Sequence, residues 1–487
     1  MLLDAEQRQD DWFRDINFDV CICGAGPAGI TLARQLAARG WTVGLFESGD
    51  LDLKLDAQEL AEGQNAGLDY FSLDSVRLRV LGGTSGHWTG VTHPFEAHDF
   101  ESHPHHPLSG WPITRSDLEP YAEETAKILD LGPQERVADM FQGASGELKP
   151  ISFRSSRPIT RFGEKYRAEL ASSKIRTYLN ATLVDIELDP HHSFVSKLIF
   201  RSYSTEGAFS VQARYVVLCL GGIENARFLL NANRQVGAGI GNQHDLVGRY
   251  FSEHPVFQIG SAVLQRVSRD GPYSHYIPSR QMMLQEKCLN FVLSVSGLNE
   301  GILMRWGREA ACLTEFSQQL IKRALGRTIQ CFDIGIWVGF EQALNKDSRV
   351  RLSDKVDRFG QRRAVLDWRF TELDYHTMRT AIIQFGRQLA ATNLGRARIS
   401  DWLQAGKPQP PGIDKDVVGS IHHMCTTRMS ENPREGVVDR NCRVHGIQNL
   451  YIGGSSVFAT GSYAHPTFTI VQLALRLADH LDGKLRS

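Results

Sequence analysis

Two histidine-containing motifs near the end of the chain carry the residue types best suited to proton transfer. One begins at Ser420 and reads Ser-Ile-His-His-Met-Cys-Thr-Thr-Arg-Met, and the other begins at His465 and reads His-Pro-Thr-Phe-Thr-Ile. Neutral imidazole has an unperturbed pKa of about 6.5, so it can accept a proton near neutral pH. Without the rest of the chain, these histidines are better explained as buried core residues. A catalytic role therefore depends on what surrounds them.

Residues 18–50 contain the signature of a dinucleotide-binding turn. An apolar run is followed by Gly-Ala-Gly-Pro-Ala-Gly, an apolar helix, and a second run that ends at Glu47. Gly24 permits the tight turn, Gly26 lets the backbone approach a pyrophosphate at the helix N-terminus, and Gly29 lets the helix pack closely on the sheet. Glu47 matches the acid, expected about 20 residues on, that binds a ribose hydroxyl. The motif predicts dinucleotide binding and leaves NAD and FAD open.

A glycine-rich loop from Val80 to Gly90 reads Val-Leu-Gly-Gly-Thr-Ser-Gly-His-Trp-Thr-Gly. Its glycines and small hydroxylated residues suit a backbone that lies against a flat or charged ligand. The alternative is a plain surface loop, although His87 and Trp88 would be unusual there. Five histidines follow within residues 93–106 and raise the alternative of a metal site, but their spacing matches no standard ligand pattern. We expect a surface segment there.

Length and composition are those of an ordinary globular protein with more than one domain. The chain has 487 residues, of which 42% are hydrophobic and 22% are charged. Its 54 basic residues nearly cancel its 55 acidic residues, so no net field favours nucleic acid or an anionic membrane. No signal-peptide pattern opens the sequence, and no apolar run approaches the ~20 residues that span a bilayer. The scattered cysteines are interpreted as reduced, without disulfides, which predicts a cytoplasmic location.

Hydrophobic periodicity predicts two sheets. Four strand-like runs lie between residues 174 and 220, and the last of them, Tyr-Val-Val-Leu-Cys-Leu, is apolar throughout, as a central parallel strand would be. It leads into Gly221 and an apolar helix, which repeats the strand–glycine–helix order of the first motif. Residues 255–400 contain alternating segments that begin near Gln330 and Ser348, so an antiparallel sheet is expected there.

Helix signals complete this outline. Ser116 and Glu119 have the spacing of a capping box and predict a helix that runs to Leu131. A second helix is expected at about residues 374–392. The last helix is expected to begin with Pro466 at its first position and to bury one apolar face as far as residue 481.

With these residues in view, the chain resembles the glucose-methanol-choline (GMC) family of FAD-dependent oxidoreductases, and within it the pyranose 2-oxidase-like branch. The resemblance covers nearly the whole length and includes the first glycine motif, Gly-Gly-Thr-Ser-Gly-His-Trp, Gly-Trp-Pro-Ile, Gly-Gly-Ile-Glu-Asn-Ala-Arg and both histidine motifs in order. It implies an α/β fold with a discontinuous Rossmann-like FAD-binding domain made of residues 1–92, 157–252 and 417–487. Residues 93–156 and 253–416 would form an inserted α+β substrate-binding domain on an antiparallel sheet.

The resemblance also implies a reaction. The family oxidises an alcohol by moving a hydride to flavin N5 while a histidine takes the hydroxyl proton. His422 has the family's seven-residue relation to Met429, so it is the expected base rather than His423. His465 is at the second catalytic position, which holds His or Asn in the family. The expected substrate is a secondary alcohol of a sugar, glycoside or similar polyol; the alternative is a cyanohydrin-type lyase of the same fold, in which FAD is structural.

FAD is the cofactor that the resemblance implies, and the N-terminus of the last helix would stabilise negative charge around flavin N1 and O2. The residues carried over as cofactor-binding are Gly24, Gly26, Ala28, Gly29, Glu47, Gly82, Gly83, Ser85, His87, Trp88, Val184, Gly221, Ser455, Pro466 and Thr467.

Some family properties stay open at this point. In pyranose 2-oxidase-like members, the histidine at the place of His87 is bonded covalently to the flavin, but Gly86 stands where those members have Thr. Covalent and noncovalent FAD are therefore both possible. Oxygen, a quinone or a redox partner would reoxidise the flavin, and an oligomer is possible. No metal, nucleic acid or membrane span is expected.

Overall fold

The computed structural model describes residues 1–7, 17–134, 139–141, 146–172, 174–204, 207–265, 275–297, 302–326, 333–412 and 421–487. The strands are β1 (Leu2–Asp4), β2 (Asn17–Cys23), β3 (Val43–Phe46), β4 (Gly63–Asn65), β5 (Val91–Thr92), β6 (Leu148–Ile151), β7 (Arg154–Ser155), β8 (Ile175–Leu179), β9 (Thr182–Leu188), β10 (Val195–Arg201), β11 (Phe209–Leu218), β12 (Val256–Leu264), β13 (His275–Pro278), β14 (Phe291–Gly297), β15 (Ile334–Phe340), β16 (Arg349–Val356), β17 (Arg362–Asp367), β18 (Gly395–Ile399) and β19 (Leu450–Ile452). The helices are α1 (Pro27–Ala38), α2 (Leu55–Gln58), α3 (Ala122–Ile128), α4 (Phe162–Lys165), α5 (Arg167–Ser172), α6 (Glu224–Asn231), α7 (Arg280–Glu286), α8 (Ile302–Ala311), α9 (Glu315–Leu325), α10 (Glu372–Ala391), α11 (Asp401–Gln404) and α12 (Thr467–Arg486).

A mixed eight-stranded sheet forms the Rossmann-like part of the fold. Its order is β1-β8-β3-β2-β11-β10-β9, and β19 pairs with β11 on the edge opposite β2. Neighbours from β1 to β11 run parallel, whereas β10 runs antiparallel to both β9 and β11. The central strand β2 is almost wholly buried, which is why its sequence is a nearly continuous apolar run. Helices α1 and α12 pack against each other beside this sheet, and the predicted α/β fold is confirmed.

A second, six-stranded antiparallel sheet has the order β18-β12-β15-β14-β13-β6. It has its own hydrophobic core, in which Phe257, Phe291, Phe340 and Phe385 are buried. Strand β6 comes from the 93–156 segment and pairs with β13, so that segment joins the sheet formed by the residues after 253. This is the predicted antiparallel sheet. The residue bounds of the two domains stay a prediction, and residues 417–420 lie outside the described part of the chain.

Three element predictions need correction. The strand expected near Ser348 is β16, which pairs with β17 and through it with the distant β4 in a separate three-stranded sheet. The helix expected from Ser116 to Leu131 is short 3-10 turns followed by α3, and the capping box is made by Thr114 and Asp117. Pro120 lies in the second turn and has no N–H to continue a helix across it. The last helix begins one residue after Pro466, which is its N-cap, and runs on to Arg486.

The cysteines were expected to be reduced, and that prediction is wrong at Cys312. Cys312, in the turn between α8 and α9, is disulfide-bonded. The other cysteines in the described ranges are free and buried: Cys21, Cys23, Cys219, Cys288, Cys425 and Cys442. Cys331 lies outside the described residues. Disulfides persist in oxidising compartments, so the cytoplasmic location stays a prediction that the cysteines no longer support.

Among the described helices, none has the length and apolar character needed to cross a bilayer.

Candidate functional site

A cavity of about 660 Å³ connects the dinucleotide turn to the C-terminal histidines. Most of the residues predicted from sequence line it: Gly24, Gly26, Ala28, Glu47, Gly83, Ser85, His87, Trp88, Gly221, His422, Ser455, His465, Pro466 and Thr467. Three predicted cofactor-binding residues do not line it, namely Gly29, Gly82 and Val184. The sheet and the two histidine motifs therefore converge on one space, as the resemblance implied.

Gly29 and Gly82 support the cavity wall from behind. A Cβ on Gly29 would lie 1.9 Å from the carbonyl oxygen of Gly24, so only glycine lets α1 pack this closely. Gly82 donates its N–H to the carbonyl of Ala25 at 2.8 Å and supports the turn from behind. In β9, Thr182 and Leu183 line the cavity, and the next residue, Val184, does not. The contact of Val184 with a cofactor stays a prediction.

The glycine turn leaves room for a ligand. Gly24 has a φ of +101°, which is the left-handed region, and a Cβ there would lie 2.4 Å from the carbonyl oxygen of Cys219. A Cβ on Gly26 would meet no protein atom within 4 Å, and Gly26 also lines the cavity. Because α1 begins at the next residue, its free N–H groups are exposed to a pyrophosphate at this place.

Glu47 is buried at the end of β3 and holds this turn in place. Its Oε2 accepts the N–H of Ala25 at 2.9 Å, and its Oε1 accepts the N–H of Gly49 at 2.9 Å. Burial raises the pKa of Glu47, and these two backbone hydrogen bonds oppose the rise. A carboxylate so placed can accept hydrogen bonds from a ribose.

A buried charge cluster at the same end of the cavity was missed by sequence reasoning. Glu224, at the start of α6, lies 3.1 Å from Arg77, 2.7 Å from Arg79 and 2.7 Å from Arg227, and Arg227 also pairs with Asp357. Burial alone would raise the pKa of Glu224, but the three guanidinium groups lower it well below its usual range. Glu224 and Arg227 belong to a motif already noted beside Gly221, but their partners come from loops that no local pattern connects to it.

The glycine-rich loop is fixed to its neighbours at several points. Trp88 donates its indole N–H to the carbonyl of Thr160 at 2.8 Å, and Arg161 donates to the carbonyls of Ser85 and Trp88 at 2.8 and 2.7 Å. His87 is exposed and lines the cavity. The loop is therefore a cavity wall, and the plain surface loop considered as the alternative is excluded.

His422 and His465 meet at the other end of the cavity. Their ring centroids are 5.0 Å apart. His465 is held by a stacked contact with Phe153, at 4.9 Å between centroids, and by a 3.1 Å contact between its Nδ1 and the carbonyl oxygen of Val91. Burial lowers the pKa of both histidines, that of His465 to about 3, so both are neutral near pH 7.

Two further residues of this end were not predicted. His254 is buried, and its Nδ1 lies 3.0 Å from Nδ1 of His422. The adjacent Glu253 accepts the backbone N–H of His254 at 2.8 Å and that of His422 at 2.6 Å. The signal that could have found them is the triplet Glu253-His254-Pro255, a charged residue and a histidine directly before the buried strand β12.

The neighbouring histidines have other partners. His423 lies beside His422, and its Nε2 is 2.8 Å from the hydroxyl of Tyr70, which itself donates to Glu253. His445 contacts the carbonyl of Ser430 at 2.9 Å, away from the cavity.

The histidine-rich segment is tied to the protein rather than arranged around an ion. His106 accepts the N–H of Leu344 at 3.0 Å, and His105 contacts the carbonyl of Cys288 at 3.0 Å. Within the described ranges, no group of three or more His, Cys, Asp or Glu side chains is placed to hold a metal ion.

The cavity fits an FAD molecule. At one end, the open approach at Gly26, the start of α1 and the Glu47 carboxylate suit the pyrophosphate and ribose of an adenine dinucleotide. At the other end, Pro466 and Thr467 bring the N-terminus of α12 to the wall beside the histidines. These residues would hold the cofactor, and their individual contacts with it stay predictions.

Comparison with known proteins agrees with this geometry. A family model described as GMC oxidoreductase matches residues 345–474. The match contains both histidine motifs from His422 onwards and ends inside α12.

Similar proteins cover the chain almost completely. The 2-methyl-1,2-propanediol dehydrogenase of Mycolicibacterium austroafricanum is 23% identical over 96% of this chain and 95% of its own length. The fructose dehydrogenase large subunit of Gluconobacter japonicus is 21% identical over 97% of this chain and 99% of its own length. Among solved structures, a fungal aryl-alcohol oxidase superposes with a TM-score of 0.61 at 14% identity and covers 97% of this chain and 100% of its own. The last likeness shows a shared fold.

Proposed function

This chain belongs to the GMC family of FAD-dependent oxidoreductases, and we propose that it oxidises a secondary alcohol of a sugar, glycoside or similar polyol to a carbonyl. One observation carries the proposal: a neutral, half-buried histidine pair, His422 and His465, lies at one end of a cavity whose other end is a dinucleotide-binding turn. A redox cofactor and a base are the two groups that alcohol oxidation requires. The relatives reported above act, by their names, on a diol and on fructose, which supports this substrate class.

The base has a defined task in this reaction. An alcohol is a poor hydride donor until its O–H bond is breaking, so a group beside the reacting carbon must take that proton. We assign this role to His422, which burial keeps neutral near pH 7. The O–H bond breaks and an N–H bond forms on His422, and such a base contributes roughly 10²–10⁴-fold to the rate. FAD supplies the hydride acceptor, at flavin N5.

His465 gives a reason to favour a polyol over a simple alcohol. The carbonyl of Val91 can only accept a hydrogen bond, so Nδ1 of His465 carries the proton that lies between them. The other nitrogen of this neutral ring, Nε2, is then an acceptor. A substrate with a second hydroxyl next to the reacting one can donate to His465 while His422 takes the first proton.

An anaerobic titration tests the proposed function. Addition of a suitable polyol to the purified holoenzyme without oxygen should bleach the yellow flavin while a carbonyl product forms. Release of cyanide and a carbonyl from an added cyanohydrin, with the flavin still oxidised, would instead identify the lyase alternative, which the names of the reported relatives do not favour. A panel of sugars, glycosides and linear polyols, compared with their deoxy analogues, would define the substrate. Reoxidation by oxygen, a quinone or a redox protein would identify the acceptor.

We further propose that FAD is held without a covalent bond, although His87 lines the cavity where such a bond would form. Gly86 replaces the threonine that accompanies the linked histidine in pyranose 2-oxidase-like proteins, and membership of that branch stays a prediction. Acid precipitation should therefore release the yellow colour into the supernatant. Colour that stays with the pellet, and is lost in His87→Ala, would show a covalent link.

A further inference from the structure

The proton on His254 is fixed by its surroundings. Its Nε2 lies 2.9 Å from the carbonyl oxygen of Gly461, and a carbonyl oxygen only accepts, so Nε2 of His254 must be the donor. Burial lowers the pKa of His254 to about 4, so near pH 7 the ring is neutral and carries a single ring proton. Its other nitrogen, Nδ1, is therefore an acceptor.

This acceptor determines the proton on the neighbouring ring. Nδ1 of His254 and Nδ1 of His422 are 3.0 Å apart, with the two rings 84° from coplanar. A hydrogen bond at this distance needs one proton between the two nitrogens, and His254 has none to give. Nδ1 of His422 must therefore carry it, which leaves Nε2 of the neutral His422 ring without a proton.

We propose that His254 is a positioning residue that holds His422 in the tautomer whose Nε2 can accept the substrate proton. This inference rests on the proposed function, because it concerns the base of that reaction. Without His254, the Nε2–H tautomer of His422 would be equally accessible, and a ring in that form presents a donor to the substrate and cannot take its proton through Nε2.

The backbone keeps the two rings in register. Ser252 and Met424 exchange backbone hydrogen bonds of 3.2 and 3.0 Å, which joins the segment before β12 to the segment of the histidine motif. Glu253 then accepts the backbone N–H of His254 and of His422 with the same carboxylate oxygen. Gly461, His254 and His422 thus form a hydrogen-bonded chain. In this chain, each group determines which ring nitrogen of the next histidine carries the proton.

His254 also acts after the proton has moved. Once Nε2 of His422 has taken the substrate proton, both nitrogens of that ring are donors, and Nδ1 still has an acceptor in His254. The acceptor stabilises the positive ring, in the way that an oriented partner does in other histidine-based sites. The remaining titratable groups that face His422 are Glu253, His423 and His465.

Two substitutions of similar size separate the loss of the acceptor from structural damage. His254→Asn keeps an acceptor because Oδ1 can occupy the place of Nδ1, whereas His254→Leu removes it. We expect the rate constant for anaerobic flavin reduction by a polyol to fall about 10²-fold in His254→Leu and to stay within about tenfold of wild type in His254→Asn. The apparent pKa of the base in the pH profile of that rate should fall in His254→Leu, since the charged form loses its acceptor. Glu253, His423 and His465 are the same in both variants.

A direct measurement does not depend on activity. In holoenzyme labelled with ¹⁵N-histidine, the His422 signals, identified by their absence in His422→Asn, should show a protonated Nδ1 and an unprotonated Nε2. A protonated Nε2 would overturn the proposal, as would equal losses of flavin reduction in the Asn and Leu variants with flavin still bound. If no polyol reduced the wild-type flavin but Nδ1 of His422 were protonated, the proposed oxidation would fail and the assigned proton positions would stand.

Discussion

The two ends of the cavity differ in the charge of the groups that line them. At the dinucleotide end, the buried groups are ions: the carboxylate of Glu224 lies among the guanidinium groups of Arg77, Arg79 and Arg227. At the histidine end, the groups that line the cavity are neutral imidazoles, and burial lowers the pKa of each of them. Both ends are comparably enclosed, so exposure does not explain the difference.

The difference follows from what each end must do. Arg77 keeps its charge even though burial lowers its pKa to about 10, so the cluster is charged throughout the neutral range. Such a cluster is suited to holding a permanently charged cofactor. The histidine end must instead take up a proton, and a base that was already charged could not do so. The ion network therefore serves binding, and the uncharged histidine pair serves the chemistry. A substitution at one end should leave the role of the other end intact.

The largest effect is expected at the histidine end. His422→Ala should retain the flavin absorbance of the holoenzyme but lose about 10³-fold in the rate of flavin reduction by substrate, because the substitution removes the assigned base. Stopped-flow bleaching under anaerobic conditions measures that rate. His445→Ala is the matched control, since its ring contacts the carbonyl of Ser430 outside the cavity. A wild-type rate in His422→Ala would contradict the assigned role.

A stability effect is expected at the charged end. Glu224→Gln leaves three guanidinium groups close together with Asp357 as their remaining buried carboxylate partner in this cluster, and removal of one member of a buried ion pair costs about 3 kcal/mol in the free energy of unfolding. Urea unfolding of the holoenzyme measures this change, and flavin retention on gel filtration should weaken with it.

The control for that change is Glu123→Gln on the exposed surface of α3, where the pair with Lys127 is open to solvent. We expect no resolvable shift in its urea midpoint. If Glu224→Gln unfolded with the wild-type urea midpoint, the charge cluster would not contribute to the free energy of unfolding. The proposed difference between the two ends would then have no effect on stability.

The same contrast separates what the sequence could predict from what it could not. Gly24, Gly26 and Glu47 lie within one strand–turn–helix–strand unit. Their roles in that unit fix how far apart they are in the sequence, so the spacing can be recognised. His422 and His465 stand in motifs that a family resemblance identifies. Such features are readable because their neighbours in the sequence are also their neighbours in space.

The missed residues depend on contacts between distant segments. His254 meets His422 across 168 residues of chain, and Arg77 meets Glu224 across 147, so no local pattern records either contact. Val184 shows a different limit: the strand was predicted correctly, but the sequence does not say which of its residues reach the cavity, and the structure places Thr182 and Leu183 there. Topology and register, rather than residue type, set the limit.

A graded effect should distinguish the two ends on acidification. Burial lowers the pKa of His465 to about 3 and that of His254 to about 4, whereas both would titrate near 6.5 in the unfolded chain. Below pH 6.5 the unfolded state therefore binds protons that the folded state does not. Stability from these groups is fully present above pH 6.5 and is lost as the pH falls toward 4, by about 1.4 kcal/mol per pH unit for each group.

The charged end should respond later, because the arginines hold the pKa of Glu224 well below the ordinary value for glutamate, and its contribution is lost only as the pH falls toward that depressed value. Urea unfolding between pH 7 and pH 5 should thus give a falling free energy of unfolding whose slope becomes shallower, by about one proton, in His465→Asn. The slope of Glu224→Gln over the same range should match that of wild type. Equal slopes in wild type and His465→Asn would mean that His465 is charged in the folded protein, and the histidine end would then not be the neutral one.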